Sequence, residues 1–248
     1  MPFCTNCGTH LEVESSFCVG CGRSLGSATR KMAAMAAPAA APEPLDYTIQ
    51  GENLQVARIR LKPGQAVFAE AGRMVYKFPE VQWENQANGN GSMARFYATS
   101  PSEVGFAGAS PGRIQDFQLK DGQSMLVACG GFLCAQSTAR LDVAPVTEPG
   151  VEGLQLKRLT GPGTMFLHGG GDFIEFVLNP GQAIQVEPSA IVAFDEAVSY
   201  GTGTELPAGE GRLLATFTGP GRVVIQSMTA AKARRAAFEE EAVPAMSV

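Results

Sequence analysis

Histidine is almost missing from this chain: His10 and His168 are the only two among 248 residues. Double-stranded β-helix oxygenases hold their metal with two or more histidines and a carboxylate, so the body of this protein cannot build such a centre. A Ser-His-Asp device would have to use His168, which stands in Leu167-His168-Gly169-Gly170-Gly171-Asp172 with no Gly-x-Ser-x-Gly elbow nearby. His168 therefore reads as a loop or strand-end residue. The three glycines after it lack the Lys-Ser/Thr of a P-loop and a following helix, and read as a hairpin connection into the strand beginning at Phe173. No catalytic and no cofactor-binding residue is assigned, and an enzyme is not expected.

Long apolar runs are absent as well. No stretch approaches the roughly 18 uncharged apolar residues that a membrane span needs, and cysteines stand near the N-terminus where a signal peptide would carry its apolar run. No transmembrane segment and a cytoplasmic location are the expectations. Aromatics make up 8% of the chain, and no sustained helical period runs between Asp46 and Met228, whereas Gly is present 29 times and Pro 16 times. That balance favours many short strands joined by turns. Positive charge is also scarce: residues 45–228 hold 13 Lys and Arg against 18 Asp and Glu, which supplies the whole net charge of −5. An acidic body repels phosphate backbones, so nucleic acid is an unlikely partner.

The cysteines that are present are concentrated at the start. Cys4-Thr5-Asn6-Cys7 and Cys18-Val19-Gly20-Cys21 form two Cys-x2-Cys knuckles, and tetrahedral Zn2+ takes four thiolates at about 2.3 Å in that arrangement. A structural zinc ribbon with one Zn2+ held by Cys4, Cys7, Cys18 and Cys21 follows. Two disulfides or a redox pair fit a reducing compartment and the missing βαβ context less well, and His10 could replace one thiol. A four-thiolate shell is closed, so the metal folds the module and does no chemistry. Residues 26–44 contain eight Ala and three Pro and read as a flexible linker, with a reach of roughly 20 to 25 Å.

One local pattern occurs three times. Leu61-Lys62-Pro63-Gly64-Gln65, Leu119-Lys120-Asp121-Gly122-Gln123 and Leu178-Asn179-Pro180-Gly181-Gln182 place their glycines 58 and 59 residues apart. Ile59, Phe117 and Phe176 stand five residues before each glycine, which gives the alternation of a strand face. Pro-Gly and Asp-Gly are turn signals, so each copy reads strand, tight turn, strand. Beyond the turns lie Met74-Val75, Phe132-Leu133 and Ile191-Val192. A further echo joins Ser110-Pro111-Gly112, Gly161-Pro162-Gly163 and Gly219-Pro220-Gly221, which makes the first copy the longest, its excess assigned to the loop from Asn85 to Ser92. The fold expected is all-β, with three pseudo-repeats of strand-turn-strand units forming a β-sandwich or β-helix-like domain over residues 45–228. A zinc ribbon over 1–25 and the linker over 26–44 precede it, and a tail over 229–248 with a short helix follows.

Two other groups of residues invite a chemical role. Cys129 and Cys134 flank Gly130-Gly131-Phe132-Leu133 at a spacing that does not match a zinc knuckle, and read as buried small-residue positions. Glu70 and Glu187 recur at one offset from their glycines, but Ala128 stands there in the second copy, so paired acid-base work is unsupported and solvated strand ends are expected.

The run from Gly181 to Phe194, the run from Gly219 to Ser227 and the stretch Glu70-Ala71-Gly72-Arg73-Met74-Val75-Tyr76 together resemble the altered inheritance of mitochondria 24 family over roughly residues 45–228. The resemblance implies a β-rich, threefold-repeated subunit similar to the tryptophan RNA-binding attenuation protein fold, assembled as a homo-oligomer with a trimer favoured. Mitochondrial members are associated with inner-membrane organisation. The reading that follows is a non-enzymatic oligomeric β scaffold whose tethered ribbon binds an unknown protein partner. Two others stand behind it: nucleic-acid binding through the ribbon with Arg23, Arg30 and Lys31, and an uncharacterised enzyme.

Overall fold

The computed structural model describes residues 7, 9–10, 20–21, 42–86, 93–144, 155–205 and 213–241. The chain divides into two units, Met1–Ala41 and Pro42–Val248. The second unit starts three residues before the expected boundary at residue 45 because the end of the linker is bonded to it. Gln65 Nε2 donates to the Pro44 carbonyl at 3.2 Å and Gln136 Nε2 to the Glu43 carbonyl at 2.8 Å.

The strands in chain order are β1 (Asp46–Gln50), β2 (Val56–Leu61), β3 (Ala66–Glu70), β4 (Met74–Lys77), β5 (Val81–Gln86), β6 (Met93–Ala98), β7 (Ser102–Ala107), β8 (Gly112–Leu119), β9 (Ser124–Ala128) and β10 (Phe132–Gln136). They continue with β11 (Arg140–Val143), β12 (Leu156–Thr160), β13 (Gly163–Gly170), β14 (Phe173–Leu178), β15 (Ala183–Val186), β16 (Ile191–Asp195), β17 (Ser199–Glu205), β18 (Leu213–Thr218) and β19 (Gly221–Gln226). The helix α1 (Ala230–Glu241) follows, started by Thr229, whose hydroxyl accepts from the Lys232 amide at 3.2 Å.

These strands form four antiparallel sheets in the orders β1-β2-β7-β4, β5-β6-β3-β10-β13-β8, β11-β12-β9-β16-β19-β14 and β15-β18-β17. Three hydrophobic clusters fill the spaces between successive sheets. The first includes Ile59, Phe106 and Phe166, the second Phe117, Leu159 and Met165, and the third Leu178, Phe194 and Phe217. Strand β2 shows the resulting pattern, with Ala57, Ile59 and Leu61 buried between the exposed or half-exposed Arg58 and Arg60. The second sheet is covered on both faces, so every residue of β10 and β13 is buried.

The all-β expectation holds, and the strand pairings correct its details. Each Gly-Gln turn carries the chain out of one sheet and into the next, from β2 to β3, from β8 to β9 and from β14 to β15. It is a corner. The run Gly169–Gly171 likewise connects β13 to β14 in a different sheet and is no hairpin. The echo in the first copy was misplaced: Leu61 pairs with Ser102, as Leu119 pairs with Gly163 and Leu178 with Gly221. Ser100-Pro101-Ser102 therefore stands where Gly161-Pro162-Gly163 was expected to match Ser110-Pro111-Gly112. Ser102, Gly163 and Gly221 lie 38, 41 and 40 residues after their corner glycines, so the first copy is the shortest. Of the loop assigned to its excess, residues 87–92 lie outside the described residues.

Candidate functional site

The three corners share one geometry. Gly64, Gly122 and Gly181 have φ of 85°, 72° and 78°, a backbone conformation that residues with a Cβ rarely adopt, although the space around each is open. The amides of Gln65, Gln123 and Gln182 donate to the carbonyls of Lys62, Lys120 and Asn179 at 3.0, 3.0 and 2.9 Å. Each glutamine side chain returns the bond, its Oε1 accepting from the amide of that same residue at 3.0, 3.2 and 3.0 Å. A Gln at this place therefore closes the turn from both directions.

Two joints inside the chain hold the large sheets together. β10 pairs with β3 through Cys134 opposite Ala69, Ala135 opposite Phe68 and Gln136 opposite Val67. β16 pairs with β9 through Ala193 opposite Val127, Phe194 opposite Leu126 and Asp195 opposite Met125. Counted from the corner glycines, the two joints are the same. β4 and β15 occupy the corresponding places in the outer sheets, and each is the last strand of its sheet among the described residues. β4, β10 and β16 carry a bulge at one position, filled by Val75, Leu133 and Val192. Leu133 and Val192 are 0% and 1% exposed, whereas Val75 is 59% exposed and Met74 and Phe78 beside it are 40% and 52% exposed.

A cavity of about 400 Å³ lies where the turns after β3, β9 and β15 approach the end of β13. Arg73 enters it from the first turn, donating to Glu70 Oε2 at 3.0 Å and to the Gly130 carbonyl at 3.3 Å. Lys157 reaches the other oxygen of Glu70. Glu70 is only 18% exposed in its side chain, with Arg73 at 11% and Lys157 at 13%, so it is a half-buried ion pair and not a solvated strand end. His168 lies inside β13 and is buried, in place of the expected loop or strand end. Its Nε2 is 3.0 Å from the Ser110 carbonyl, and since a carbonyl only accepts, Nε2 carries the proton. Burial lowers the His168 pKa below its ordinary 6.5; the Ser110 bond opposes this and the Arg73 charge adds to it. Cys134 is buried as expected, and burial raises its thiol pKa well above the usual range. Cys129 is exposed in the cavity, contrary to expectation, because it falls in the turn after β9.

In the first unit Cys4 and Cys18 lie outside the described residues, while Cys7 and Cys21 are exposed. A Cβ on Gly20 would stand 2.3 Å from Thr9 Oγ1, and Cys7 Sγ is 3.2 Å from that same hydroxyl, so the segment before Cys21 lies beside the one after Cys7. Among the described residues no three metal-ligating side chains are grouped.

Stacked antiparallel sheets joined by glycine-glutamine corners define a multi-sheet β protein, and the paired knuckles ahead of them define a zinc ribbon. The profile of the family described as Mitochondrial biogenesis AIM24 matches residues 47–228, and that of the zinc-ribbon domain matches residues 3–25. The chain belongs to the AIM24 family. It is also similar to the X-ray crystal structure of protein SPYM3_0169 from Streptococcus pyogenes, with a TM-score of 0.67 at 20% identity, over 79% of this chain and 99% of that one. At that identity the likeness is one of fold. No curated protein matches the chain. Among the described residues no helix is long and apolar enough to cross a membrane.

Proposed function

We propose that this protein is a non-enzymatic oligomeric β scaffold that displays a structural zinc ribbon to protein partners. The observation that supports it is that β4 and β15, the counterparts of the strands that join the halves of the large sheets, each pair on one side only among the described residues. Each large sheet consists of two three-stranded halves joined by β10 and β3 or by β16 and β9, while β2-β7-β4 and β15-β18-β17 are single halves in different sheets. An exposed edge invites strand pairing, and β15 of one copy set against β4 of another completes a sheet of the internal kind. Because the two edges differ, the contact is head-to-tail and closes into a ring; the family resemblance favours three copies. Val75 then enters the neighbour's third core as Leu133 enters the first and Val192 the second.

One Zn2+ per chain, on Cys4, Cys7, Cys18 and Cys21, folds the ribbon, and several ribbons on one ring raise the apparent affinity for a multivalent partner. Light scattering of the full chain tests the assembly. The expected result is one closed oligomer that Val75→Asp converts to monomer, and a wild-type monomer at all concentrations removes the scaffold reading.

A further inference from the structure

The cavity beside His168 is not used by the scaffold reading, and its chemistry points to a ligand. Two cations, Arg73 and Lys157, share one carboxylate, Glu70, and all three side chains are less than one-fifth exposed. Lys232 and Glu187 nearby approach within 4.0 Å and balance each other. The trio of Arg73, Lys157 and Glu70 carries one net positive charge, and Arg73 is its member that lines the cavity; an uncompensated ion in a recess is costly. Arg73 bonds Glu70 and the Gly130 carbonyl through Nε and Nη2, and Nη1 takes part in none of these contacts.

The second polar group is His168. With its proton on Nε2 for the Ser110 carbonyl, Nδ1 is a bare acceptor. The sealed side-chain nitrogen or oxygen atoms without a hydrogen bond among the described residues are Ser137 Oγ and Arg158 Nε, the latter 2.8 Å from Glu196 Oε1 in an ion pair. Nδ1 makes no hydrogen bond among the described residues and is not one of these sealed atoms, and the His168 ring lines the cavity. Ile191, Val192 and Met228 supply an apolar wall. A volume of about 400 Å³ is within the ordinary range for small-molecule sites.

We propose that this cavity binds a small monocarboxylic acid, with its carboxylate on Arg73, a hydroxyl donating to His168 Nδ1 and its carbon skeleton on the apolar wall. A monoanion matches the single excess charge. A dianion would overcompensate it, and a divalent cation would be repelled by the two bases.

The presence of only two histidines makes the test direct. The full chain, labelled with 15N in histidine, is titrated with sodium salts of hydroxy monocarboxylates from glycolate to mandelate, with mandelamide and sodium chloride as controls. A saturable shift of the His168 Nδ1 resonance with at least one acid is expected, while His10 stays still and both controls leave His168 unmoved. Arg73→Gln weakens that binding at least about tenfold through loss of a charge-assisted pair. Cys129→Phe, which fills the cavity from its exposed rim and leaves the Arg73–Glu70 pair intact, abolishes it. The proposal is overturned if no acid shifts His168, if mandelamide or chloride shifts it equally, or if the shift survives Cys129→Phe.

Discussion

At each corner a glutamine oxygen satisfies the amide three residues behind it, and the three sites differ mainly in burial. Gln65 is 9% exposed and also donates to the Pro44 carbonyl, Gln123 is half-buried and Gln182 is exposed. Leaving a buried amide unpaired costs about 1 to 3 kcal/mol, whereas water replaces an exposed partner. Gln65→Ala is therefore expected to destabilise by about 2 kcal/mol and Gln182→Ala by about 0.5 kcal/mol, with Gln123→Ala between them, in urea unfolding. His168 gives a second residue-scale expectation. Its folded pKa lies below 6.5, so in mild acid the unfolded chain binds a proton that the folded chain refuses. This contribution is complete above about pH 6.5 and is lost as pH falls below it. Thermal unfolding at pH 7 and pH 5.5 should show a larger acid loss for the wild type than for His168→Gln, and equal losses would remove His168 as the cause. The corner residues were legible because their partners lie three positions away. The burial of His168 was not, since its partner Ser110 is 58 residues distant and nothing local announces it.

Strands were readable one at a time, and their neighbours were not. Alternation at Ile59 and Leu61 identifies a buried face, but the same alternation serves a hairpin and a corner equally well, so the reading strand, tight turn, strand leaves open whether the Gly-Gln turn stays in one sheet or joins two. The misplaced echo has a similar origin: Ser-Pro-Ser at 100–102 lacks the glycine that marks its counterparts, while Ser110-Pro111-Gly112 ten residues on has it. Pairing also carries the expectation for the open edges. If β4 and β15 of two copies join as β10 joins β3, Tyr76 meets Val186, Lys77 meets Gln185 and Phe78 meets Ile184. Residues directly opposite in an antiparallel pair have Cβ atoms about 4.5–5.5 Å apart. In a background with the six native cysteines changed to Ser or Ala, a chain carrying both Lys77→Cys and Gln185→Cys should then give covalent oligomers with a short bismaleimide, and neither single variant should. Equal ladders from Lys77→Cys alone would indicate a two-fold contact in place of the head-to-tail one.

The whole molecule pairs, on the proposed reading, a zinc-ribbon module that would need metal to fold with a body that has three hydrophobic cores of its own. About 25 residues bury too little apolar surface to fold alone, so on this proposal the ribbon's stability would be its metal-binding free energy. The body has Phe106, Phe132, Phe166, Phe194 and Phe217 fully buried, a core that contains no ribbon residue among the described residues. Chelation should therefore release one Zn2+ per chain while leaving the β-sheet circular dichroism, the unfolding midpoint and the scattering mass unchanged. Capture of protein partners should fail in the same sample and return when zinc is restored. A chain with all four of Cys4, Cys7, Cys18 and Cys21 changed to Ser should behave like the chelated protein even with zinc present. Loss of the oligomer on chelation would place the ribbon inside the assembly and overturn the division of labour proposed here. Capture that persists without zinc would move partner binding to the β domain.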